Sequence, residues 1–217
     1  MLFYLRADLV PYVREGIKVV VVPKKANITI GRRAWMFVLS AVPAGIAGAL
    51  AEDWITRKLG TPALIAISLM VFGVVLVWAD RQTGTRDLDS FSTRDALLIG
   101  AAQVLALNPG TSRSGITITA ARKFGFSRDA AARVSFLMSV PVIGGAVLLK
   151  LTKLASDGIP DGLIIPMIVG IISAGISGWI AMWGMIRLLR SRSFTPFVMY
   201  RFVAGIAVLT LLSTSFR

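Results

Sequence analysis

Long uncharged stretches alternate with short polar segments along the whole chain. A bilayer-spanning α-helix needs about 20 consecutive apolar residues. Five stretches approach or reach that length: residues 34–51, 61–79, 134–149, 162–186 and 194–216. The pattern predicts an all-α polytopic membrane protein, a helical bundle of about five full spans.

The first 33 residues follow a different pattern. Residues 1–5 are typical of the end of an apolar helix, so we expect a partial N-terminal helix there. Residues 6–33 are polar and basic, and Pro11 and Pro23 should limit any long helix. We predict a cytoplasmic loop. Within it, Val19–Val22 fits a short strand or an interfacial piece, and the pattern does not choose between them.

A sixth apolar run, residues 96–121, contains a single charge, Arg113. Pro109 and Gly110 interrupt the helical pattern just before it. Backbone that leaves the helix at membrane depth must be buried in protein or line a cavity, so we predict a re-entrant helical hairpin. The alternative is one kinked span whose Arg113 snorkels to the interface, which leaves the Pro-Gly break unexplained.

The break also concentrates groups that bind anions. If a helix begins near Ser112 or Ser114, its free N–H groups, its positive dipole end and Arg113 converge on one point. Arginine offers a planar fork that matches phosphate oxygens. A Walker A motif is excluded because Ile116 stands where that motif requires lysine.

Loop charges are consistent with the re-entrant arrangement. If the hairpin returns to the side it left, most arginines and lysines outside the apolar runs fall on one side, as the positive-inside rule expects. The cytoplasmic set would be Arg81, Arg86, Arg94, Arg122, Lys123, Arg128, Arg133, Arg187, Arg190 and Arg192, and the outer set Arg57, Lys58, Lys150 and Lys153. Arg201 lies inside the last span, where we expect it to snorkel to the cytoplasmic interface, with a second phosphate contact as the alternative.

Bulk composition narrows the function classes. The 217 residues are 55% hydrophobic with a mean hydropathy of +0.74, which is typical of an integral membrane protein. Cysteine and histidine are both absent, so thiolate and imidazole metal sites are excluded. The net charge of +13 comes from short loops between apolar runs and therefore indicates membrane topology, not nucleic-acid binding. Gly170, Ala174 and Gly178 share one helix face and would permit close helix packing.

The run from Gln103 to Ile118, QVLALNPGTSRSGITI, resembles the PGxSRSxxT signature of the bacterial undecaprenyl-diphosphatase (bacitracin-resistance) family. Residues 130–141 and 197–202 also resemble family segments, in the expected order, so that nearly the whole chain is covered. The resemblance implies two inverted repeats, each opening with a re-entrant hairpin, with the phosphate site where the hairpins meet. We therefore expect a single domain, 1–217, with 1–95 an incomplete first repeat and 96–217 the second.

The family's acidic motif, a pair of carboxylates followed by serines and a histidine, has no counterpart here. Glu15 and Glu52 are far apart, and we expect both, with Asp53, to be surface charges. Because Met1 falls in mid-helix, we expect an N-terminally truncated form, and the alternative is a genuine short form that does not turn over substrate. The chain as given should bind a lipid diphosphate but hydrolyse it slowly. A divalent cation, magnesium or calcium, is expected from the family, but the sequence identifies no ligands for it.

The implied function is hydrolysis of undecaprenyl diphosphate to the monophosphate, which recycles the lipid carrier for cell-wall polymers in the bacterial inner membrane. The resemblance implies catalytic roles for Ser112, Arg113 and Thr117. It implies phosphate-binding roles for Gly110, Thr111, Ser114 and Gly115, with Arg201 as a secondary contact. The expected partners are the lipid substrate and the bilayer, and a homodimer is left open. The rival function is lipid-phosphate binding or transport without hydrolysis, or an inactive homologue.

Overall fold

The computed structural model describes residues 6–158, 162–191 and 194–214, without the side chains of residues 52, 53, 56, 186 and 188–191. Eight α-helices make up most of these ranges. They are α1 (Arg6–Val21), α2 (Ile28–Leu59), α3 (Pro62–Asp80), α4 (Thr93–Gln103), α5 (Arg113–Lys123), α6 (Arg128–Asp157), α7 (Ile164–Ser191) and α8 (Thr195–Ser213). Residues 1–5, where a partial helix was predicted, lie outside the described ranges.

Five of these helices are long and apolar enough to cross a membrane. The candidate spans are Ile28–Ala51, Pro62–Asp80, Arg128–Asp157, Ile164–Met185 and Thr195–Ser213. They coincide with the five predicted runs, and the prediction of an all-α polytopic membrane protein is confirmed. Exposed isoleucines and tryptophans along α7, together with Val169, suit a helix that faces lipid.

The N-terminal segment corrects the predicted loop. Residues 6–21 form α1 although Pro11 lies inside the helix, and Val19–Val21 end that helix instead of forming a strand. The physical reason is packing against α2, where Gly16 allows close approach to Ala34 and its carbonyl accepts a hydrogen bond from Trp35 Nε1 at 3.1 Å. This tertiary contact outweighs the local cost of the proline.

Helices α4 and α5 form a hairpin that returns to the end where it began. Arg86 connects the two ends, because its Nη1 donates to Asp95 Oδ1 at 3.1 Å and to the Phe124 carbonyl at 2.9 Å. Asp95 lies in the first turn of α4, and Phe124 directly follows α5. We call this end the base of the hairpin and the turn between α4 and α5 the tip. The predicted re-entrant hairpin is therefore present, and the single kinked span is wrong.

Small residues let the hairpin sit deep among its neighbours. A Cβ on Gly100 of α4 would lie 2.5 Å from the Ser40 carbonyl oxygen of α2, so only glycine permits this approach. Helix α5 packs between α3 and α6, and α8 lies along α3. On α7, by contrast, nothing described lies within 4 Å of a Cβ built on Gly170 or Gly178, so the close packing predicted at that face is not made within the described chain.

Candidate active site at the tip of the hairpin

The tip is built by an ordered sequence of local structures. Helix α4 ends at Gln103, a short 3-10 turn covers Val104–Leu107, and α5 begins at Arg113 with Ser112 as its N-cap. Ser112 Oγ accepts the Gly115 N–H at 3.2 Å, which is the usual capping contact. The break before Arg113 and the helix start near Ser112 are as predicted. Ser112 also has a φ of +68°, a costly conformation for a residue other than glycine.

The tip is held against α3. Gly110 has a φ of +89°, and a Cβ there would overlap the Ile65 carbonyl oxygen. Asn108 Nδ2 donates to Ser68 Oγ at 2.9 Å and to Thr111 Oγ1 at 3.0 Å. Gly110 therefore serves the close approach of two backbones, a function no other residue could fill without displacing α3.

Arg201 of α8 reaches the same turn. Its Nη2 donates to the carbonyls of Gly110, at 3.1 Å, and Thr111, at 3.0 Å. Only 8% of the residue is exposed, so the preferred expectation that it snorkels to the interface is wrong. The physical reason is that the turn presents carbonyls without helical partners, which attract a buried donor. Its Nη1 is buried and has no partner among the described residues.

The first turn of α5 keeps two backbone donors free. A helix start leaves four N–H groups without an intrahelical partner, here those of Ser112 to Gly115, and the Gly115 amide binds Ser112 Oγ. The Ile116 amide makes the first helical bond, to the Ser112 carbonyl at 3.0 Å. Within the described chain the amides of Arg113 and Ser114 have no acceptor. Ser112 is exposed, and Arg113, Ser114 and Gly115 are half-buried, so this turn is open to a ligand.

Two predicted site residues face away from that open turn. Thr117 is fully buried, and its hydroxyl lies 2.9 Å from the Arg113 carbonyl and shares a 2.7 Å hydrogen bond with Ser135 Oγ of α6. Thr111 is also fully buried and bonds to Asn108. The structure thus brings Ser112, Arg113, Ser114 and Gly115 together at one face, with Gly110, Thr111 and Thr117 behind them.

Arg113 lines a cavity of about 410 Å³ between α2, the end of α4 and α6. No described residue forms a hydrogen bond or ion pair with its guanidinium. The walls are mostly small and apolar, among them Ala41, Ala44, Gly45 and Ala146. A cation in such surroundings is costly unless something pairs with it, so the cavity is suited to an anion.

Sequence analysis missed a second polar residue in this cavity, Gln103. It is 2% exposed, and neither Oε1 nor Nε2 has a hydrogen-bond partner among the described residues. One sequence signal could have identified it, because Gln103 is the only polar side chain between Ala96 and Leu107.

Carboxylates do not gather at the tip. The described residues contain no group of three or more acidic, histidine or cysteine side chains that could hold a metal ion. Asp95 is bound at the base, where Arg86 Nη2 donates to Oδ2 at 2.7 Å. Burial raises the pKa of Asp95, but hydrogen bonds from Arg86 and Ser92 outweigh burial and leave the pKa below its ordinary value.

Glu15 is engaged elsewhere in the chain. Glu15 accepts from Lys18 Nζ and from the Asn27 amide, both at 2.7 Å, and these bonds lower its pKa. It therefore joins the ends of α1 and α2 instead of standing free in solvent. The side chains of Glu52 and Asp53 lie outside the described residues. The oxygen donors among the described residues therefore do not fit a divalent cation.

Comparison with known proteins places the chain in a family. The family described as "Bacitracin resistance protein BacA" matches residues 1–207. Relatives named undecaprenyl-diphosphatase are 43% identical over 212 residues in Geobacter sulfurreducens, covering 96% of this chain and 75% of the relative, and 40% identical over 212 residues in Hahella chejuensis, covering 98% and 79%. A third, from Elusimicrobium minutum, is 38% identical over 209 residues, covering 96% and 77%. The chain thus belongs to the bacitracin resistance protein BacA family.

Proposed function

We propose that the protein is an integral membrane phosphatase that hydrolyses undecaprenyl diphosphate to undecaprenyl monophosphate and phosphate. The relatives named undecaprenyl-diphosphatase support this, since the match extends over three quarters of their length. The observation that carries the proposal is Arg113 at the start of α5, which lines a cavity and whose guanidinium has no partner among the described residues. The reaction regenerates a lipid carrier for peptidoglycan synthesis, and bacitracin resistance follows from it.

In this proposal Arg113 binds the terminal phosphate through its planar fork. The free amides of Arg113 and Ser114 and the hydroxyls of Ser112 and Ser114 add donors at the same turn. Water attacks the terminal phosphorus, the bond to the bridging oxygen breaks, and the lipid monophosphate leaves with that electron pair. Preorganised donors matter most here because negative charge shifts toward the bridging oxygen as the bond breaks.

The buried members of the predicted site take supporting roles. Thr117 holds the first turn of α5 on α6 through Ser135, and Gly110 and Thr111 hold the tip on α3 and α8. Arg201 keeps Nη1 free near the Ser112–Gly115 turn, where a Cβ on Gly115 would lie 3.7 Å from it, so a secondary phosphate contact remains part of the proposal.

The proposal extends to the surroundings of the site. We place the protein in the bacterial inner membrane, with the hairpin base on the cytoplasmic side, and treat residues 96–217 as the second of two repeats. A magnesium or calcium ion is suggested by the family resemblance alone, because the described residues contain no cluster of ligands for it. We also propose that the protein forms a homodimer.

Phosphate release is the test of function. The purified chain in detergent or liposomes should release phosphate from undecaprenyl diphosphate. Arg113→Ala should lower the rate about a hundred- to a thousand-fold, since one preorganised contact to developing charge is worth about 3–4 kcal/mol. Arg113→Lys should recover only part of the rate because the bidentate fork is lost.

Arg94→Ala is the matched control, because Arg94 is an exposed arginine on the same hairpin, at the base. It should keep the wild-type rate. Binding of the lipid diphosphate without release by the wild-type chain would favour the non-hydrolytic function. Wild-type turnover by Arg113→Ala would contradict the proposed site.

The absence of cysteine makes topology directly measurable. Single cysteines at Thr85 and Lys123, beside the base, should react with a membrane-impermeant maleimide only from the cytoplasmic side. Cysteines at Lys58 and Lys153 should react from the outer side. Opposite labelling of the Thr85 and Lys123 positions would contradict the re-entrant hairpin.

A further inference from the structure

Gln103 holds an unusual position for a primary amide. It is the last residue of α4, directly before the backbone leaves the helix, and it is 2% exposed. A buried amide without hydrogen bonds costs about 1–3 kcal/mol, and native structures rarely keep one without a reason. Both Oε1 and Nε2 of Gln103 are in this state among the described residues.

The cavity that Gln103 lines is the one that receives Arg113. Its remaining lining residues, from α2, the turn after α4 and α6, are all apolar. Two polar side chains thus share a volume of about 410 Å³, which lies in the usual size range of small-ligand pockets. An anion drawn in by Arg113 would come to rest within reach of few other polar side chains.

The two side chains are chemically complementary. Arginine has donors only, whereas a primary amide has two donors and an acceptor oxygen. A phosphate can take a further donor at a non-bridging oxygen, and a water molecule that attacks phosphorus needs an acceptor for its O–H. Gln103 can supply both without a change of charge.

We propose that Gln103 is a substrate contact of the phosphatase, with Nε2 donating to a non-bridging oxygen of the terminal phosphate and Oε1 accepting from the attacking water. This rests on the proposed hydrolysis for the water contact, but the phosphate contact concerns binding alone. The amide does not act as a base. The proton that water loses passes to a phosphate oxygen or to solvent as the bridging P–O bond breaks.

The proposal predicts a combination of effects that a structural glutamine would not show. Gln103→Met removes both polar atoms and keeps a long, unbranched side chain. Because no hydrogen bond within the described chain is lost, the melting temperature should stay level or rise. The affinity for farnesyl diphosphate, a soluble short-chain probe, should fall about ten- to a hundred-fold, as expected for loss of a hydrogen bond to a charged group.

Comparing farnesyl diphosphate with farnesyl monophosphate shows which phosphate Gln103 contacts. If Nε2 binds the terminal phosphate, Gln103→Met should weaken binding of the diphosphate much more than binding of the monophosphate. Gln103→Glu should weaken diphosphate binding further, because a carboxylate faces the phosphate oxygens. The matched control is Gln82→Met, an exposed glutamine at the base, which should change neither affinity nor melting temperature.

Calorimetric binding, thermal unfolding and phosphate release on the full chain separate the outcomes. A lowered melting temperature with unchanged affinity would show a structural role and overturn the proposal, as would no change in either quantity. If the wild-type chain binds the diphosphate, Gln103→Met weakens that binding and neither releases phosphate, the contact stands and the hydrolytic function fails. No binding of either prenyl phosphate by the wild-type chain would overturn the contact.

Discussion

The two ends of the hairpin hold their arginines in opposite ways. At the base, Arg86 and Arg128 pair with carboxylates, Arg128 with Asp80 at 2.6 Å, and Arg122 donates to the carbonyls of Phe126, Asp80 and Gln82. At the tip, Arg113 has no partner in the described chain, and Arg201 uses only one of its two terminal nitrogens.

This difference separates a structural end from a reactive one. Arg86, Arg122 and Arg128 each donate to acceptors within the chain, although Arg122 Nε has none among the described residues, and these bonds fix where the hairpin enters and leaves the bundle. A partly buried cation without a partner costs stability, which a bound anion would restore. The unpaired tip is therefore the better candidate for a site that must bind and release phosphate.

The largest expected effect is at the base. Arg122→Met should lower the free energy of unfolding by about 3 kcal/mol, because the buried carbonyls of Phe126 and Asp80 lose a charged donor. Arg113→Met should leave that free energy unchanged or raise it, since no bond is lost. Denaturant unfolding in detergent, followed by circular dichroism, measures both. Equal destabilisation by the two substitutions would contradict the comparison.

The next effect concerns how the tip is seated on α3. Gly110→Ala should cost about 2 kcal/mol, because it places a Cβ at a positive φ and against the Ile65 carbonyl. The control is Gly144→Ala on α6, where nothing described lies within 4 Å of the new Cβ and the change should be neutral or stabilising. A tip that tolerates Gly110→Ala in the same unfolding assay would not be packed as described.

A smaller effect shows whether Thr117 only holds α5 against α6 or contacts the phosphate directly. Thr117→Val and Ser135→Ala should each cost about 1 kcal/mol, and the double variant should cost less than their sum because they share one hydrogen bond. If Thr117 acts only by holding α5, the two single variants should slow phosphate release to a similar degree. A much larger loss of rate for Thr117→Val would indicate direct contact with phosphate.

The smallest expected effect is on how the stability of the hairpin base depends on pH. The folded-state pKa of Asp95 lies below its unfolded value, so the stability it contributes is present above about pH 4 and is lost as pH falls through the folded pKa. Asp95→Asn should remove this acid dependence and, at neutral pH, cost about 1 kcal/mol through the lost capping box with Ser92. Melting temperatures between pH 3 and pH 7 test this.

Asp87→Asn, an exposed neighbour at the base, is the control. It should keep the acid dependence of the wild-type chain. If Asp95→Asn and the wild-type chain show the same loss of stability on acidification, another carboxylate is responsible.

Local sequence patterns were enough to predict the membrane spans and the helix break before Arg113. Hydropathy over about 20 residues predicts a span because a bilayer excludes unpaired backbone, whatever the neighbouring helices are. Pro109, Gly110 and Ser112 act within a few residues of themselves, so the end of α4 and the start of α5 at Arg113 could be predicted from sequence. The signature around Arg113 was likewise sufficient to identify the family.

Only the tertiary structure decided where the side chains of distant residues lie. Arg201 is separated from Gly110 by 91 residues, and no periodicity within its own helix distinguishes a snorkelling arginine from one that binds the tip. Thr117 belongs to the signature, yet Ser135 turns its hydroxyl inward. Gln103 is an ordinary polar residue in sequence, and its burial beside Arg113 follows from how α2, α4 and α6 enclose one cavity. Sequence thus determined the membrane spans and the helix break, which depend on local free energies, whereas α1 and the site depend on contacts that exist only once the helices pack.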